Sequence, residues 1–204
     1  MRARGRVVVC SVLVAAIAAA AGCSTGSGAD TQGGSFDFVS PGGRTDILYD
    51  QPDQRGRPGA IAGPDLAAPA RTLTVDTDFA GQVVIINVWG QWCAPCRTEA
   101  PELQQIYQVN RARGVTVVGI DLRDNDIQTA VDFVTDRRIT YPSIYDPAMR
   151  TLIAFGGRYP TSVVPSTIVL DRRHRVAAVF LRALLADDLQ SLVERLADEP
   201  PAGS

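Results

Sequence analysis

The sequence predicts an α/β domain built on a mixed sheet flanked by helices, and three features predict it. Two near-continuous apolar runs, Val83–Trp89 and Val115–Asp121, have the β-branched composition of strands buried on both faces. Segments of helical period alternate with these strands, which argues a parallel core. Late in the chain, Ser166–Asp171 and Val176–Leu181 flank a polar turn at 172–175, so a hairpin adds antiparallel strands.

Taken in order, Arg71–Phe79 alternates as a strand does, and Ala80-Gly81 marks a turn. Val83–Trp89 is the central strand. Thr98–Arg113 reads as a helix stopped by Gly114, and Val115–Asp121 is the second buried strand. Asn125–Arg137 is helical in period, with Ile127, Val131 and Val134 on one face. Ile139–Asp146 reads as extended, and Pro147–Phe155 as a short helix opened by its proline. The hairpin follows, and Leu185–Leu196 closes the domain as an amphipathic helix. The domain is expected to run from 63 to 198, with a tail at 199–204. Residues 23–62 are rich in Gly, Ser, Pro and Asp and read as a flexible tether and N-terminal extension. Phe36, Phe38, Val39 and Asp46–Tyr49 could add a strand to the domain or pack on it, and pattern alone leaves that open.

With 204 residues, 46% of them hydrophobic, the chain can bury one well-packed core. A net charge of −2 gives no reason to expect nucleic acid as a partner. All 20 basic residues are arginine, the mark of a GC-rich coding bias. Arg2, Arg4 and Arg6 precede the apolar stretch Val7–Ala21, and small residues follow, so 1–22 reads as a secretory signal. The stretch is short for a span, which needs about 20 apolar residues. The run Ala20–Cys23 resembles a bacterial lipoprotein lipobox, with Ala20 where leucine is usual. That resemblance implies acylation of Cys23 and a protein lipid-anchored to the bacterial cell membrane, facing the extracytoplasmic side. Cleavage would remove Cys10 and leave Cys93 and Cys96 as the free thiols, too few for a disulfide-stapled scaffold.

The pair Cys93/Cys96 can be read three ways. A structural zinc site wants four ligands, and the processed chain offers these two and His174, so no metal is expected. A purely structural disulfide closing so small a loop removes little entropy from the unfolded chain. Redox chemistry fits best. Cys93 follows a buried strand and opens a helix, where unpaired N–H groups and the helix dipole favour a thiolate. Pro95 suits the first turn, which needs no N–H partner. Trp89 and Trp92 supply apolar flanks. Cys93 is expected exposed and nucleophilic, Cys96 one turn deeper and resolving. Farther on, Pro165 stands immediately before a strand, where a proline loses no ladder bond. A cis Val164–Pro165 bond would let the Val164 backbone face the cysteines, whereas base rates favour a trans bond.

Trp92–Cys96, the preceding Val83–Gly90, Pro101 and Val164–Asp171 resemble the thioredoxin fold, and within it the membrane-anchored TlpA/ResA group of thiol-disulfide oxidoreductases. The resemblance spans about 63–196. It implies a thioredoxin-like mixed sheet with an extra helix–strand insertion before a cis-Pro loop at Pro165. It implies a Cys93–Cys96 disulfide, a substrate surface at Trp92, Val164 and Pro165, and a candidate proton shuttle in Glu99, whose alternative is a solvated helix carboxylate. Asn87 stands where thioredoxin carries a buried aspartate, so it cannot act as a base. The group also implies apocytochrome c, with its Cys-x-x-Cys-His, as the protein substrate and a CcdA-type membrane thiol carrier as electron donor, with no cofactor. Ala94-Pro95 brings no cation to the thiolate, so a reducing centre is expected, nearer about −270 mV than about −120 mV. The competing readings are a thiol oxidase of exported proteins and a Sco-like copper-delivery lipoprotein using His174, itself read as a solvated turn residue. A peroxiredoxin does not fit, because Gly90 stands where that chemistry needs Thr or Ser.

Overall fold

The architecture rests on the central strand, in which every residue of Val83–Trp89 is buried. The computed structural model describes residues 35–36, 38–39 and 42–200; the expected signal segment 1–22 with Cys10, the expected lipidation site Cys23 and the tail 201–204 lie outside the described residues. The strands are β1 (Asp46–Leu48), β2 (Ala62–Asp65), β3 (Ala68–Thr74), β4 (Val83–Trp89), β5 (Val115–Asp121), β6 (Ser143–Tyr145), β7 (Ser166–Leu170) and β8 (Val176–Phe180). The helices are α1 (Val75–Asp78), α2 (Ala94–Asn110), α3 (Ile127–Asp136) and α4 (Ala186–Asp198). The strands form one eight-stranded sheet in the order β1-β8-β7-β4-β5-β6-β2-β3. Pairs β4–β5 and β5–β6 are parallel, while β4–β7 and β7–β8 are antiparallel, so the sheet is mixed as the pattern predicts.

Alternation along β4 sends side chains to two different covers. Val83 and Ile85 pack with Leu103 and Ile106 of α2 and with Leu189 and Val193 of α4. Val84, Ile86 and Val88 pack with Phe36, Phe38, Leu152 and Phe155. Gly114 ends the α2 region in the left-handed conformation, φ 75°, which glycine adopts without strain.

Four expectations need correction. Residues 35–62 are no tether where they are described: Phe36 and Phe38 are buried and β1 pairs antiparallel with β8. Phe36 and Phe38 pack in the same apolar cluster as Val84, Ile86 and Val88 of β4. Arg55 is buried with them, its Nη1 at 3.1 Å from Asp171 and 2.7 Å from Glu199. The strand expected over Arg71–Phe79 stops at Thr74, because the Asp78 carboxylate accepts the Thr74 N–H at 2.8 Å and starts a helical turn instead. The short helix expected from Pro147 is a 3-10 helix over Arg150–Phe155, started by Asp146, whose carboxylate accepts from the N–H groups of Arg150 and Thr151. Finally, His174 is not solvated. It is 4% exposed, its Nδ1 lies 3.0 Å from Asp76 Oδ1 and its Nε2 3.0 Å from the Phe79 carbonyl.

Candidate active site

Helix α2 begins where the strand chemistry ends. Cys93 is its N-cap, in extended conformation, and its Sγ accepts the Cys96 N–H at 3.2 Å. Pro95 occupies the first turn. Gly90 precedes them for a steric reason: a Cβ there would come within 2.4 Å of the Trp92 ring nitrogen. That ring folds back and donates to the Leu122 carbonyl at 3.0 Å, yet Trp92 remains 42% exposed beside the cysteines.

Cys93 and Cys96 form a disulfide, with their Cα atoms 5.3 Å apart. The expected contrast in exposure is absent, since Cys93 is 3% and Cys96 2% exposed. Both belong to an apolar cluster with Leu66, Trp89, Ala100, Ala130 and Phe133, and Val164 packs on it. Phe133 stacks on Trp89 with ring centroids 4.6 Å apart. The Val164–Pro165 peptide is cis, and Val164 packs against the cysteine cluster.

One turn after Cys96 lies a buried polar group that sequence reasoning found only in part. Glu99 follows Cys96 by one turn on the buried face of α2 and is 1% exposed, not solvated. Its Oε2 accepts from Asn87 Nδ2 at 3.0 Å and its Oε1 from the Leu184 N–H at 3.1 Å. Asn87 donates its second proton to Thr167 Oγ1 at 3.2 Å. Burial pushes the Glu99 carboxyl up to about 7, against the lowering effect of these donors. Thr167 and Leu184 left no sequence signal, because they reach Glu99 from β7 and from the loop before α4.

Two arginines are held on the segments around the cysteine turn. Arg97 donates to the Gln91 carbonyl through Nε at 3.2 Å and Nη2 at 2.9 Å. The Arg123 guanidinium lies 5.6 Å from the Trp92 ring centroid and donates to the Thr161 carbonyl at 2.9 Å. His174, by contrast, sits far from the sulfurs. Val88 pairs with Ser166 and Val84 with Leu170, so the turn after Leu170 is at the opposite end of β4, about 13 Å of strand away. The pair and His174 therefore cannot share a metal ion. Among the described residues, no helix is long and apolar enough to cross a membrane.

Comparison with known proteins places this arrangement. Residues 62–179 match the AhpC/TSA family. The thiol:disulfide interchange protein DsbE of Pseudomonas aeruginosa is 32% identical over 143 residues, 68% of this chain and 74% of that protein. The thiol-disulfide oxidoreductase ResA of Geobacillus thermodenitrificans is 24% identical over 120 residues, 59% of this chain and 66% of that protein. Among solved structures, a secreted thiol-disulfide isomerase from Corynebacterium glutamicum is 47% identical, with a TM-score of 0.78 over 82% of this chain and all of that one.

Proposed function

This chain belongs to the AhpC/TSA family, with a thioredoxin-like fold and the oxidoreductase chemistry its relatives are named for, and from that premise we propose that it reduces disulfides in other proteins outside the cytoplasm. The observation that carries the reading is Glu99: a buried carboxyl near neutrality, one turn from the resolving cysteine. Side chains at that spacing have Cβ atoms about 5–6 Å apart.

In the proposed cycle the Cys93 thiolate attacks one sulfur of a substrate disulfide. A Cys93–substrate bond forms and the other substrate sulfur leaves with the electron pair of the broken bond. Cys96 then gives its proton to Glu99 and attacks Cys93 Sγ. The Cys93–Cys96 bond forms, and the second substrate sulfur leaves and is protonated. Two electrons have passed to the substrate. Trp92, Val164 and Pro165 form the surface that receives it. The resemblance to the TlpA/ResA group supports apocytochrome c as substrate, a CcdA-type membrane thiol carrier as the reductant that resets Cys93–Cys96, and a lipid anchor at Cys23.

The oxidising direction is the competing reading, and a cation close enough to stabilise the reduced thiolate would favour it. Equilibration with a dithiothreitol redox buffer decides between them. A potential near about −270 mV supports the reductant, and one near about −120 mV overturns it in favour of an oxidase. Cys96→Ala tests the substrate. It should accumulate a mixed disulfide through Cys93 with a protein bearing Cys-x-x-Cys-His. Capture of exported proteins with structural disulfides instead would overturn the cytochrome proposal.

A further inference from the structure

Asp121 ends β5 directly opposite Trp89, in the parallel register that pairs the two strands. It is fully buried, and neither carboxylate oxygen receives a hydrogen bond. Its neighbour is another acid: the Asp124 carboxyl lies within hydrogen-bonding reach. Asp124 is itself 3% exposed, and its Oδ2 accepts the Gln91 N–H at 2.9 Å. Gln91 belongs to the turn in which the Cys93 N–H donates to the Gly90 carbonyl at 3.0 Å. An ionised Asp121 would be a desolvated anion facing a second anion with no donor to either oxygen, which is costly. A protonated Asp121 can donate to Asp124, which removes the facing pair of charges and gives one of the two orphaned oxygens a partner.

We propose that Asp121 is a positioning residue: as the neutral acid it donates to the Asp124 carboxylate, and that clasp holds the Gln91 N–H and fixes the turn that presents Cys93. The inference is independent of the direction in which electrons run, and of the substrate. Desolvation, then Asp124 and Asp146, push the Asp121 carboxyl up to about 9. The titratable groups facing the clasp are Asp124 from the loop after β5, and Tyr145 and Asp146 from β6 and the turn after it. Tyr145 donates to the Asp124 backbone carbonyl at 2.7 Å, and Asp146 is occupied by Arg150 and Thr151. The Arg123 side chain is turned away onto Trp92 and Thr161.

The test uses the full-length, oxidised, isotope-labelled protein, in which Cys93 and Cys96 do not titrate. The Gln91 amide resonance and the Asp121 carboxyl carbon are followed by NMR across the alkaline range. The expected result is that both move together in one transition, that Tyr145→Phe keeps it, and that Asp121→Asn, whose amide donates at every pH, leaves the Gln91 resonance flat at the clasped position. Asp124→Asn should move the Asp121 transition to lower pH by removing the facing anion. An Asp121 carboxyl already ionised at neutral pH would overturn the proposal. So would a Gln91 transition that survives in Asp121→Asn, or Gln91 unmoved while Asp121 titrates. None of these readouts requires turnover, so the reductase reading can fail while the clasp stands, and the reverse.

Discussion

Glu99 holds an ionisable group where its neighbours are uncharged donors: Asn87, Thr167 and the Leu184 N–H. Its folded value, about 7, lies above the ordinary 4.5. The native state therefore holds this proton more tightly than the unfolded chain does. Below pH 4.5 both states are protonated and the group costs nothing. As pH rises from 4.5 to 7 the native state loses stability, on the order of 3 kcal/mol between the two limits. Glu99→Gln should remove that share of the fall, so the difference between melting temperatures at pH 5 and pH 8 narrows relative to wild type. The same variant should slow resolution of the mixed disulfide and remove an ionisation near neutrality from its pH profile. An unchanged stability slope and profile would show that Glu99 neither titrates there nor takes the proton. At this scale the sequence showed Cys93, Cys96 and Pro165, because cysteine spacing and proline placement are local signals. It hid the state of Glu99 and His174. Their burial is made by Leu184 and Asp76, residues 85 and 98 positions away.

Element boundaries divide in the same way. β4 and β5 lie where their apolar runs place them, since a strand buried on both faces writes its full length in composition. Strand β3 ends early and the 3-10 helix starts late because two carboxylates, Asp78 and Asp146, capture backbone N–H groups locally. The segment around Phe36 and Phe38 was the least legible element. Aromatic residues two apart among Gly and Ser give no period, and their purpose appears only once the sheet face beneath them is known. Phe38 is 1% exposed and stacks edge-on with Tyr159, centroids 5.5 Å apart. Phe38→Ala should cost about 3–5 kcal/mol. The urea midpoint should fall accordingly with little change in slope, and a shift below about 0.5 kcal/mol, the size of an ordinary surface substitution, would mean the segment is not docked.

Across the whole molecule, one buried cation joins parts remote in sequence. Arg55 donates to the carbonyls of Tyr49 and Asp50, to Asp171 in the hairpin turn and to Glu199 after α4. Removing one partner of such a cluster leaves the other charges buried and uncompensated. Arg55→Met should therefore destabilise the protein by about 3–5 kcal/mol, read as a lowered thermal midpoint, although Met fills much the same volume. A loss within about 1 kcal/mol, the worth of an exposed pair, would mean that the Arg175 bond to Asp171 suffices alone. A composition-based boundary near residue 63 missed this because Arg55, one of two arginines in a Gly/Pro-rich stretch, looks like solvated chain. The distribution of cover also bears on the sulfurs. With Cys93 and Cys96 both within the apolar cluster, the oxidised bridge is insulated from solvent. Reduction by small thiols in solution should therefore be slow, with a rate limited by opening of the apolar cluster around the bridge, as stopped-flow measurement with dithiothreitol would show. Packing around the bridge governs how fast electrons enter it, while the potential of the dithiol governs which way they run.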